Sequence, residues 1–153
     1  MDIFFQTNAF IAALALYAGA ALLSLFTGWQ WHDGGKMANR IAHFGACLAS
    51  LLLLIFSAGV FLSGEGKALS FALPFPNIAF SFRIDGLSAF FLGLIGGIAV
   101  LASWFGVAYQ RHFIGKYDLG IFGFFYNAFL LGMVLAVSAN QALFFLFSWE
   151  LMS

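Results

Sequence analysis

The chain has 153 residues, of which 63% are hydrophobic and only 8% are charged. An average globular domain carries about 25% charged residues, so this composition excludes a water-soluble domain and predicts an integral membrane protein. Six basic and six acidic residues cancel to a net charge of zero, which leaves no electrostatic footprint for a nucleic acid. The single cysteine, Cys47, excludes an intrachain disulfide and is interpreted as a buried thiol without a chemical role.

Four apolar runs each come close to the roughly 20 residues that cross a membrane as a helix, and a fifth run begins near the end of the sequence. Backbone amides in lipid must bond within their own segment, so the runs are predicted to be helices. We expect an all-α integral membrane fold, a bundle of four complete transmembrane helices plus the start of a fifth. The predicted helices are residues 9–28, 41–62, 87–109, 119–137 and 142–153.

Basic residues in the short loops predict how the chain is oriented. The first and third loops share one side of the membrane and carry more lysine and arginine than the second loop, so the amino terminus is predicted to lie outside the cytoplasm. The first run follows Asp2 and no basic residue, which favours a retained helix over a cleaved signal peptide. The basic residues are Lys36, Arg40, Arg111 and Lys116 on one side, and Lys67 and Arg83 on the other.

The second loop combines helix breakers with an extended stretch. Pro74 and Pro76 interrupt any helix, and residues 78–84 alternate as an extended segment does. Asp85 follows at the position of a helix N-cap, three residues before Ser88. We interpret Asp85 as a cap at the water interface rather than as a transport residue.

Small residues recur on the third and fourth predicted helices, in the pattern by which membrane helices approach one another closely. They predict that helices touch, but transporters, channels and inert anchors share such faces. They are Gly93 and Gly97 in the third helix, and Gly120, Gly123, Ala128 and Gly132 in the fourth.

Glu150 is the ionisable residue that stands out, because the other runs keep their charges at their ends. A rise of about 1.5 Å per residue from the 138–141 turn places it on the order of 12 Å into the membrane core. An acid at the helix centre costs roughly 2.5 to 3.5 kcal/mol, so such residues usually face a partner or a wet cavity and carry a function. The alternative is a position near an interface. Asn127 is interpreted as an amide that bonds a neighbouring helix, and His43 as an interfacial residue.

Two stretches carry a family resemblance. Residues 127–153 read NAFLLGMVLAVSANQALFFLFSWELMS, and residues 80–105 read FSFRIDGLSAFFLGLIGGIAVLASWF. Both resemble the antiporter-like family of proton-translocating membrane subunits, which includes subunits of respiratory complex I, Mrp-type sodium/proton antiporters and energy-converting hydrogenases. Within this family the likeness is nearest to the membrane subunits of hydrogenase and formate hydrogenlyase complexes. The run ending in WELMS is the more specific of the two signals.

The resemblance implies that Glu150 matches the glutamate on the family's fifth helix, which pairs with a lysine on the seventh along a central proton path. It implies about fourteen core helices, so the sequence is expected to be the amino-terminal part of a larger subunit. The implied location is the bacterial inner membrane, as a multi-pass protein. The implied partners are the lipid bilayer and the other membrane and peripheral subunits of a hydrogenase or complex I-like assembly, with no nucleic acid.

We therefore expect a membrane subunit of a respiratory or hydrogenase-type oxidoreductase complex, in which Glu150 passes protons while electrons move in other subunits. No cofactor or metal is expected, because the sequence has no CxxC cluster, no bis-histidine spacing and no glycine-rich nucleotide loop. Two alternatives stay open. One is a stand-alone sodium/proton antiporter subunit that uses the same glutamate, and the other is a non-conducting membrane anchor or remnant.

Overall fold

A computed structural model describes residues 3–30, 34–64, 66–72 and 79–153. This part of the chain is mostly helical. A short 3₁₀ helix, Gln110–Phe113, extends the third helix, and an antiparallel hairpin lies between the second and third helices. The helices are α1 (Ile3–Gln30), α2 (Gly34–Ser63), α3 (Gly86–Tyr109), α4 (Leu119–Ser138) and α5 (Ala142–Met152), and the strands are β1 (Lys67–Ala72) and β2 (Ala79–Ile84).

The helices α1 to α4 are long and apolar enough to cross a membrane, and α5 is a shorter apolar helix. This confirms the predicted all-α membrane fold with four full-length helices and a shorter fifth. The main difference lies at two helix starts, because α1 begins at Ile3 and α2 at Gly34, well before residues 9 and 41. An apolar run marks only the part of a helix that suits contact with lipid, whereas the backbone hydrogen bonds of the helix continue into the polar residues before that run.

The two ends of the bundle differ in chemistry. At one end the last turn of α1 touches the first turn of α4, since a Cβ on Gly28 would lie 2.7 Å from the Cα of Gly120. Only glycine permits backbones to approach this closely. We call this the basic end, residues 34–40 and 110–118, and the opposite one the hairpin end, residues 66–72, 79–86 and 138–142.

The hairpin end is closed by β-structure and aromatic rings. β1 and β2 pair in antiparallel register, which confirms the extended stretch over Ala79–Ile84, whereas Pro74 and Pro76 lie outside the described residues. The ring of Phe82 lies 5.7 Å from Phe10 and 5.1 Å from Phe144, centroid to centroid, in edge-to-face arrangements. All three rings are buried, so this half of the core is aromatic and apolar.

Small residues place α3 against α2, but not as the predicted pair. A Cβ on Gly93 would lie 3.1 Å from Ser57 Oγ, and one on Gly96 would lie 3.1 Å from the Ser50 carbonyl oxygen. Gly97 would meet nothing within 4 Å, so the prediction of a Gly93 and Gly97 contact pair is wrong for Gly97. The contact follows a spacing of three residues. The small residues predicted in α4 are all buried: Gly120, Gly123, Ala128 and Gly132.

Two aspartates cap helices at the membrane surface. Asp85 Oδ1 accepts a hydrogen bond from the Ser88 backbone N–H at 2.9 Å, which confirms the predicted N-cap of α3. This bond holds the pKa of Asp85 below its ordinary value, because it stabilises the ionised carboxylate. Asp118 caps α4 in the same way, accepting from the Gly120 and Ile121 N–H groups at 2.8 and 3.2 Å.

Candidate functional site

Glu150 lies on the third turn of α5, nine residues into the helix. α5 packs on α4 through Phe144 and Ser148, whose side chains are buried. Near the end of α5 the backbones come close, because a Cβ on Gly132 would lie 3.1 Å from the backbone nitrogen of Met152. One face of α5 is therefore fixed against α4.

The side chain of Glu150 lies on the other face and is exposed. At about 100° per residue, it stands about 200° around the helix from Ser148. Among the described residues, none bonds or pairs with its carboxylate. The structure therefore gives the predicted relay residue a position on an open helix face, and brings no other candidate residue to it.

The open face of α5 is otherwise apolar. Leu143, Leu146 and Phe147 are 70%, 62% and 58% exposed, and their spacing places them on the same side of the helix as Glu150. Glu150 is thus a single acid at the end of an apolar stripe. Sequence reasoning found the acid from its apolar context, but the direction in which it faces depends on how α5 packs on α4.

A second group of polar side chains lies inside the bundle, in the half next to the basic end. His43 is 2% exposed, and its ring stacks on Tyr126 with centroids 5.1 Å apart. Its Nδ1 lies 3.0 Å from the Asn39 carbonyl oxygen. α2 begins at Gly34, earlier than expected, so His43 lies about 13 Å along the helix and inside the bundle rather than at the helix start.

The neighbours of His43 make room for it and extend the polar group. A Cβ on Gly106 of α3 would overlap the His43 ring, so this glycine is what admits the ring between α2 and α3. The hydroxyls of Tyr126 and Ser103 share a hydrogen bond of 2.8 Å. Cys47 is free and only half-buried rather than buried, and it borders a cavity of about 180 Å³ with His43 and Ser103.

Three buried amides complete this region. Asn127 Nδ2 donates to the Ala42 carbonyl oxygen of α2 at 3.1 Å, which confirms that it bonds a neighbouring helix. Asn39 Nδ2 donates to the Val107 carbonyl oxygen of α3 at 3.0 Å. The side-chain oxygens of Asn39, Asn127 and Gln110 find no donor within the described part of the chain. Buried acceptors of this kind are commonly satisfied by water, so this half of the bundle is polar where the other half is aromatic.

The two groups are separate. His43 and its neighbours lie between α2, α3 and α4, whereas Glu150 stands on the outward face of α5, and no hydrogen bond among the described residues joins them. No three His, Cys, Asp or Glu side chains of the described ranges come together in a way that could hold a metal ion.

A comparison with curated proteins aligns 142 residues of the chain at 29% identity with a protein of Escherichia coli (strain K12). That protein is hydrogenase-4 component B. The alignment covers 92% of this chain, and the chain spans about a fifth, 20%, of hydrogenase-4 component B. No family model matches the chain. The identity supports a distant relationship to hydrogenase-4 component B.

Proposed function

We propose that the chain is the amino-terminal membrane part of a subunit of a hydrogenase-type oxidoreductase complex, and that Glu150 passes protons within it. The observation that carries the proposal is a lone acid on the open face of α5, among exposed apolar side chains. The distant relationship to hydrogenase-4 component B supports the hydrogenase-type setting. Electron transfer belongs to other subunits in this proposal, and the chain's part is to move protons.

The physical argument concerns the cost of an acid in lipid. A carboxylate near the centre of a membrane helix costs roughly 2.5 to 3.5 kcal/mol, and in known proteins such residues face a partner or water. The outward stripe of Leu143, Leu146 and Phe147 suits contact with a further helix, which would cover Glu150 as well. A basic residue on that helix would stabilise the ionised acid, and its withdrawal would favour the protonated form. Alternation between the two states is what a proton relay requires.

The proposal includes an orientation and partners. We place the chain in the bacterial inner membrane with its amino terminus outside, because the basic end carries four basic residues and the segment between α2 and α3 carries two. The helix that covers Glu150 would come from the remainder of a larger subunit. Further membrane and peripheral subunits would surround that subunit in the complex.

The test is proton flux in vesicles that contain the complex, comparing wild type with Glu150→Gln. This substitution removes the titratable group and keeps the shape of the side chain. The matched control is Asp85→Asn, which removes a carboxylate from the membrane surface while an asparagine still caps the helix. We expect Glu150→Gln to abolish flux with normal assembly, and Asp85→Asn to retain it.

The opposite results separate the alternatives. Unchanged flux in Glu150→Gln would assign the residue a structural role and favour a membrane anchor. Flux that disappears when sodium is removed, in wild type as well, would favour a sodium/proton antiporter that uses the same glutamate.

A further inference from the structure

The basic end of the bundle contains a pocket of about 430 Å³ between the start of α2 and the 3₁₀ helix. Three of its lining residues, Lys36, Asn39 and Arg40, belong to α2. Asn39 and Arg40 follow Lys36 by three and four residues, so all three share one helix face. The 3₁₀ helix and the residue after it form the opposite wall. The lining residues are Lys36, Asn39, Arg40, Arg111 and Ile114.

The distance between the two walls is set by a buried contact. Asn39 is 2% exposed, and its Nδ2 donates to the Val107 carbonyl oxygen at 3.0 Å, one helical turn before Arg111. This bond joins α2 to α3 directly below the pocket. The backbones that carry Arg40 and Arg111 are therefore held on facing walls by helix packing, so a ligand between them has to order only the side chains.

The described lining of the pocket contains three positive charges and no negative one. Lys36, Arg40 and Arg111 form no ion pair with an acidic side chain of the described residues. Asp118 lies at the same end, but its carboxylate accepts the N–H groups that cap α4. Three cations that converge on one cavity repel one another, and an anion between them removes that cost.

The pocket lies at the ends of two candidate membrane spans, where lipid headgroups are expected. By length and hydropathy, the candidate span of α2 begins at Gly35 and that of α3 with the 3₁₀ helix ends at Phe113, and the pocket lies at these two ends. The segment 109–114 also borders a second, largely apolar groove of about 320 Å³, whose other wall is the first turn of α4. Its lining residues are Tyr109, Gln110, Phe113, Tyr117, Leu119 and Phe122.

We propose that the basic pocket binds the phosphate of an anionic phospholipid, with one acyl chain in the neighbouring aromatic groove. Arginine pairs with phosphate through two parallel hydrogen bonds, so Arg40 and Arg111 grip the phosphate and Lys36 adds a point charge. Basic pockets between membrane helices bind such headgroups on the cytoplasmic side. The apolar groove on the same segment favours a lipid over free phosphate, because a lipid has an acyl chain to fill it and free phosphate does not. The site joins α2 to α3 and is independent of the function proposed for Glu150.

The test measures lipid retention by native mass spectrometry after purification of the full-length protein. The probe is phosphatidylglycerol in mixed micelles, with phosphatidylcholine as the neutral lipid. The variants are Arg111→Gln and, as a matched control, Lys116→Gln, which removes one charge from the same connection between α3 and α4 but does not line the pocket. We expect Arg111→Gln to weaken phosphatidylglycerol binding by about tenfold, the usual effect of losing a charged hydrogen bond, and Lys116→Gln to change it little.

Three outcomes would overturn the proposal. Equal losses of phosphatidylglycerol binding in Arg111→Gln and Lys116→Gln would show that the lipid responds to general surface charge and not to the pocket. Displacement of phosphatidylglycerol by millimolar inorganic phosphate would make free phosphate the ligand. If the wild-type protein retains no phosphatidylglycerol, the pocket does not bind the lipid, and an acidic protein segment becomes the favoured ligand. Arg111→Lys keeps the charge but removes the guanidinium that can form two parallel hydrogen bonds. Thermal unfolding of each variant in micelles of phosphatidylcholine alone shows whether a loss of lipid binding comes from a loss of folding.

Discussion

The crossing of α1 and α4 at the basic end gives a sharp test of the fold. In Gly28→Ala the new Cβ would lie 2.7 Å from the Gly120 Cα and 3.1 Å from the Gly120 nitrogen. Both atoms belong to a backbone that cannot rotate away. Ordinary contact begins at 3.4 Å, so the helices would have to separate by about 0.7 Å. Overpacking of this kind costs about 1 to 3 kcal/mol, against a gain of about 1 kcal/mol in helix propensity.

The same helix provides the control. A Cβ on Gly19 of α1 would meet nothing within 4 Å, so Gly19→Ala gains propensity without a clash. We expect Gly28→Ala to lower the free energy of unfolding by up to about 2 kcal/mol, the overpacking cost less the propensity gain, and Gly19→Ala to leave it unchanged or raise it by up to about 1 kcal/mol. Reversible unfolding in mixed micelles, followed by far-UV circular dichroism, measures both. If both variants shift stability in the same direction by similar amounts, the close crossing is refuted.

Two further predictions concern a cap and a buried ring. The pKa of Asp85 is held below its ordinary value of 3.8, so its contribution is fully present above that pH and is lost as pH falls through the lower folded-state pKa. Asp85→Ala should therefore lower the midpoint of thermal unfolding at neutral pH, and the difference in midpoint from wild type should shrink in acid. A difference in midpoint that does not change with pH would contradict this. Gly106→Ala should displace the His43 ring and cost about 1 to 3 kcal/mol, whereas Gly97→Ala on the same helix should not; histidine NMR signals and unfolding measurements check both effects.

The sequence predicted the helices that cross the membrane because each needs a long apolar run, and this requirement is local. It missed β1, since a strand is defined by its partner and the stretch Lys67–Ala72 has no strong signal of its own. It also missed the first turns of α2, where Lys36, Asn39 and Arg40 resemble loop sequence but continue the helix. Local sequence patterns therefore predicted the membrane-crossing helices, but they did not predict the segments whose structure depends on contacts with another segment.

The same distinction holds for the functional candidates. Glu150 could be recognised because an acid is rare among apolar residues, but its outward direction follows from the contacts of Ser148 and Gly132. The burial of His43 depends on Gly106, which is distant in sequence and supplies the space for the ring. A single sequence contains no signal that a glycine on one helix matches a histidine on another.

The hairpin has a bearing on where the proposed relay sits. The Asn140 backbone N–H donates to the Ser81 carbonyl oxygen at 2.9 Å, and Phe82 forms a β-bridge with Ala139, so the turn before α5 is tied to β2. Glu150 follows that turn at a fixed helical rise of about 1.5 Å per residue. The position of Glu150 along the bundle axis is therefore set relative to the hairpin, so a change in β2 that displaces this turn would shift the acid while the sequence of α5 stays the same.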